Sequence, residues 1–99
     1  MFADELTQFA MQMTRITEAC NQYFKNQIPE NAHGVIDLVR QTTQQFVISN
    51  DEHIKPIVDT LNELLHKPIN HDTEAALINE VRKITDIVEP KNLVLTYKD

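Results

Sequence analysis

Residues 3–26, ADELTQFAMQMTRITEACNQYFKN, decide the fold. Leu6, Phe9, Met13, Ile16, Cys20 and Tyr23 recur at spacings of three and four without a miss. On an α-helix such spacings place side chains in one stripe, and this stripe keeps its period for about two and a half heptads. A seam of that kind packs inside a bundle or zips against a second chain. A coiled coil generally needs about three or four heptads, so the intramolecular bundle is the expected use. The methionines of this segment read as core fillers.

Three further segments share the period but not the residues. Ile28-Pro29 breaks the first helix, and Pro29 suits the first position of a second over 30–48. Val35, Ile36, Val39, Thr43 and Phe46 form its apolar face, weakened by Thr42, Thr43 and Gly34. Ser49 and Glu52 have the spacing of a capping box, in which serine and glutamate satisfy each other's backbone amides. A third helix over 51–67 then carries the strongest stripe: Ile54, Ile57, Val58, Leu61, Leu64 and Leu65. Pro56 leaves two options, since proline inside a helix removes an amide donor and clashes with the turn before it. Either the helix begins near Lys55 with Pro56 in its first turn, or it begins near Asn50 and bends. Pro68 ends it. Asn70 or Asp72 caps a fourth helix over 72–88, with Leu77, Ile78, Val81, Ile84 and Val88 inward and Pro90 as the stop. Short connections make neighbouring helices antiparallel. The expected architecture is all-α: one domain over 1–99, an antiparallel up-down four-helix bundle with a short C-terminal tail, 90–99.

Composition agrees. The sole glycine, Gly34, is too little for the turns of a β-rich domain of 99 residues. No apolar run approaches the ~18 residues of a membrane span, and acid follows Met1-Phe2-Ala3 where a signal peptide carries base, so secretion is not expected. One cysteine, Cys20, permits no internal disulfide, which fits a reducing cytosol. Net charge is −6 and uneven: residues 1–81 hold 12 acids and 5 bases, residues 82–99 hold 3 acids and 4 bases. An acidic body argues against nucleic acid, whose phosphates require a basic footprint.

One constellation has metal-ligand form. Glu30 with His33 and Glu63 with His66 are both Glu-x-x-His, and Glu18 and Glu80 lie on the other two helices, the ligand set of a di-iron carboxylate bundle. The helical wheel opposes it, since Glu63 and His66 point roughly 140 to 200° away from the Leu61–Leu65 stripe. His66 and His71 read as loop histidines. Cys20 sits on the seam as a buried, inert thiol with no histidine on its face. Ser49, the sole serine, is better used as a cap. These readings anticipate no enzyme, no metal and no cofactor.

Binding surface remains. Ile87 lies roughly 100° round from Val88 and so sits off the core stripe. Beyond Pro90 come Leu93, Val94, Leu95 and Tyr97. Such a tail either docks a partner or folds back as a lid over the groove between helices.

The run Thr73-Glu74-Ala75-Ala76-Leu77-Ile78, continuing through Ile84 to Leu93, Tyr97 and Asp99, resembles the pediocin-like bacteriocin immunity proteins of the enterocin A type, as do length and helix order. The chain departs from them in lacking a glycine between last helix and tail, and in its acidity. The resemblance implies a non-enzymatic cytosolic protein, peripheral at the inner membrane face, that protects its producer. Such proteins recognise a mannose phosphotransferase permease once a bacteriocin has engaged it, and the C-terminal half governs recognition. Carried over, that points to Ile87, Lys91, Leu93, Leu95, Tyr97 and Lys98 as partner-binding residues. The alternative is a helical interaction module (adapter, chaperone or antitoxin-like regulator) that binds through the first helix, as a monomer or a weak dimer.

Overall fold

The computed structural model describes residues 4–88, with side chains through Asp86. Its elements are α1 (Glu5–Lys25), α2 (Pro29–Phe46), α3 (Lys55–Leu65) and α4 (Glu74–Val88), with no strand among the described residues. This is the expected all-α, four-helix bundle.

Each helix end has a local cause. Asp4 caps α1: its carboxylate accepts the Thr7 amide at 2.8 Å and the Thr7 hydroxyl at 3.0 Å. Those bonds, the amide's foremost, hold the Asp4 carboxyl below its ordinary pKa of 3.8. Extended backbone at Asn26 ends α1, and the Asn31 side-chain amide donates back to the Asn26 carbonyl at 2.8 Å. Pro29 opens α2, where its missing N–H costs nothing.

The link from α2 to α3 differs from expectation. Helix α2 stops at Phe46, and Val47 and Ile48 form an exposed turn rather than its last residues. Ser49 makes no capping box with Glu52. Its hydroxyl donates to Glu5 Oε1 at 2.7 Å and accepts the Asp51 amide at 3.2 Å. Helix α3 begins at Lys55 with Pro56 in its first turn, where an unpaired amide is normal. At the next corner Asn70 is the capping side chain, but one turn early: its Oδ1 accepts the amides of Asp72 and Thr73, and α4 starts at Glu74. Asp72 caps nothing.

The α1 seam is the centre of the core. Leu6, Phe9, Met13, Ile16, Cys20 and Tyr23 are all buried, while Met11, two residues from Met13, is 54% exposed and no core filler. From α2 come Ala32, Val35, Ile36, Val39 and Phe46. Thr42 and Thr43 are buried too, with their hydroxyls donating to the carbonyls of Leu38 and Arg40 at 2.8 Å. The weak points of the α2 pattern thus turn methyls inward and return their polar groups to their own helix.

Antiparallel packing is visible in specific pairs. Phe9 near the start of α1 meets Phe46 at the end of α2, edge to face at 5.1 Å. Near the other end of α1, the Arg82 guanidinium of α4 lies 5.1 Å from the Phe24 ring. Helix α2 packs against all three others, whereas α1 and α3 make no close backbone approach among the described residues. Val35, Ile36 and Val39 meet Leu77, Ile78 and Val81 with Leu65 above them, leaving no room for a water molecule. No helix among the described residues is long and apolar enough to cross a membrane.

Candidate binding site

The residues singled out for partner binding fall mostly beyond the described part. Ile87 lies on α4 without a described side chain, and Lys91, Leu93, Leu95, Tyr97 and Lys98 lie outside the described residues. What is described is the helix that leads to them. Ile78, Val81 and Thr85 are buried, the Thr85 hydroxyl donates to the Arg82 carbonyl at 2.8 Å, and Arg82 stacks on Phe24. The C-terminal turns of α4 are therefore seated on α1.

Glu63 and His66 point outward, as the wheel indicates, and Glu18, Glu30, His33 and Glu80 are exposed as well. His66 has a local task. Its Nδ1 lies 2.7 Å from the Asn62 carbonyl, an acceptor only, so the ring proton sits on that nitrogen and helps close α3. His71 lies 3.5 Å from Glu74, on the loop as expected. Cys20 is fully buried, and burial pushes its thiol up to about 11, with Arg82 opposing and Asp86 adding to the shift. A thiol so raised is a poor nucleophile at neutral pH.

The concave feature of interest stands at the corner between α3 and α4. It is a half-open cavity of about 440 Å³. Leu64 of α3 and Leu77 and Ala76 of α4 form apolar walls, and Pro68 and Ile69 of the connecting loop complete them. The loop is held in shape by Thr73, whose hydroxyl donates to the Pro68 carbonyl at 2.8 Å and accepts the Asn70 amide at 2.9 Å. Two charged residues complete the lining, Lys67 and Glu80, both exposed. Glu80 has a cation beside it, Lys83 Nζ at 3.5 Å. Lys67 has no acidic partner among the described residues.

A shallower furrow between α1 and α2 is lined by Gln8, Gln12, Gln41, Gln45, Arg15 and the exposed Met11. Arg15 donates to the Gln12 side-chain oxygen at 3.2 Å, and Gln12 reaches Gln45 at 3.5 Å. It is a polar helix–helix seam.

No family model, no curated protein and no solved structure matches the chain.

Sequence reasoning missed the corner cavity because a cavity belongs to two helices and a loop together. The one hint in the sequence is an isoleucine, Ile69, in the Pro68–Asn70 loop.

Proposed function

We propose that the chain is a non-enzymatic binding protein of the bacteriocin immunity kind, protecting its producer by engaging a membrane permease that a bacteriocin has occupied. The observation that carries this reading is the seating of α4. Arg82 on Phe24 and the buried Ile78, Val81 and Thr85 fix the helix from which the partner-binding candidates emerge. A short segment leaving a fixed support loses less freedom on docking than one leaving a loose end. The four-helix order and the residues from Thr73 to Asp99 support the same reading by resemblance.

The other reading, an adapter that pairs through α1, has less surface to work with. Its seam is enclosed by the chain's own helices, so a partner at Met13 or Ile16 would have to open the core. The test is expression of the chain in a bacterial strain sensitive to pediocin-like bacteriocins. Protection against at least one of them is the expected result, reduced by Leu95→Asp or Tyr97→Asp. Unchanged killing by every bacteriocin tested removes the proposal.

A further inference from the structure

We propose that the α3–α4 corner binds a short-chain amphipathic carboxylate, an aliphatic body with an anionic head, independently of the immunity reading. Three observations converge on that chemistry. The cavity holds about 440 Å³, inside the range of about 300 to 1,000 Å³ usual for small-molecule pockets and at its lower end. That size suits a single short aliphatic chain. The walls presented to it by Leu64, Ile69, Ala76 and Leu77 are apolar, so the body of the ligand leaves water for hydrocarbon.

The charges then select the head group. Glu80, the acid on the same lining, is compensated by Lys83 at 3.5 Å, whereas Lys67 forms no ion pair with any acid among the described residues. The unmet demand is for an anion. A carboxylate beside Lys67 answers it, while an ammonium there meets like charge. The loop is suited to hold such a site open, because the Thr73 hydroxyl ties Pro68 and Asn70 together and leaves the apolar side chains of the corner facing the cavity.

The experiment uses the full chain, labelled with nitrogen-15, and follows amide shifts during titration with octanoate, octylammonium and 1-octanol. Saturable shifts confined to residues 64–80, with octanoate preferred over octylammonium, are expected. In Lys67→Glu that preference reverses, octanoate weakening about three- to tenfold, as for an exposed charge contact. Ala76→Phe fills the cavity from an exposed position and abolishes both. Should Ala76→Phe disturb folding, as a thermal melt would reveal, the reversal in Lys67→Glu still decides. Shifts spread over all four helices, equal binding of the three probes to the wild-type chain, an unaltered preference in Lys67→Glu, or no saturable shift at millimolar ligand each overturn the proposal.

Discussion

The hydroxyl of Ser49 donates to Glu5 Oε1 at 2.7 Å, joining the α2–α3 turn to the first turn of α1 across 44 residues of chain. Ser49 is 5% exposed, and the same oxygen accepts the Asp51 amide, so one atom organises the end of the bundle where Phe9 meets Phe46. Ser49→Ala should lower stability by about 1 to 2 kcal/mol, since it leaves the Asp51 amide without its acceptor. For a domain of this size each kcal/mol corresponds to about 4 to 8 °C in Tm. Glu5→Gln, which still offers an oxygen, should lose less. Equal melts for wild type and Ser49→Ala would show that the bond contributes nothing net.

Gly34 occupies the interior of α2 at an exposed position, and a Cβ built there meets nothing within 4 Å beyond the backbone of its own helix and its chain neighbours. Gly34→Ala should therefore raise stability by about 0.5 to 1 kcal/mol, by restricting the unfolded chain and favouring the helix. Urea unfolding should show a higher midpoint at unchanged slope.

Met11 and Met13 differ by two positions and by a whole environment, 54% exposed against fully buried. Met13→Ala should cost about 2 to 5 kcal/mol through lost burial and a cavity, and Met11→Ala no more than about 0.5 kcal/mol. Comparable losses at the two positions would contradict the packing of α1.

Cys20 supplies an alkaline prediction. Its folded pKa is raised from 9.0 to about 11, so the folded state holds the proton more tightly than the unfolded chain. The stability this contributes is full below pH 9 and is lost progressively as pH rises from 9 towards 11. Cys20→Ala should flatten that limb, at the expense of some core packing at every pH. A thiol reagent at pH 8 should label the native protein slowly and the urea-unfolded chain at once. Asp4 acts at the other extreme: its lowered pKa means a contribution present above 3.8 and lost as pH falls below it, which Asp4→Ala should remove.

The fold was legible because periodicity is a local property that survives without knowledge of neighbours. Every residue of the α1 seam is buried, and so are Val58, Leu61, Leu77, Ile78 and Val81. The errors lie where distant chain decides. Ser49 and Glu52 have capping-box spacing, but Glu5 competes for the serine from another helix. Val47 and Ile48 carry on the apolar composition of α2, yet the chain has already turned. The corner cavity was illegible for the same reason, since no spacing within one segment describes a hollow between two. The proposed partner-binding residues were read from composition and resemblance, and periodicity could assign only Ile87 a face.

The absence of any close approach between α1 and α3, with α2 touching all of its companions, makes the bundle unequal in its exchange behaviour. Helix α3, with 11 residues, leans chiefly on α2 and packs less closely against α4. Opening of α3 should precede that of the α1–α2 pair, which Phe9 on Phe46 holds at one end. Amide protons of α3 should then exchange through a partial opening, those of α1 and α2 only through global unfolding. Opening of this bundle should begin at its least supported helix, α3.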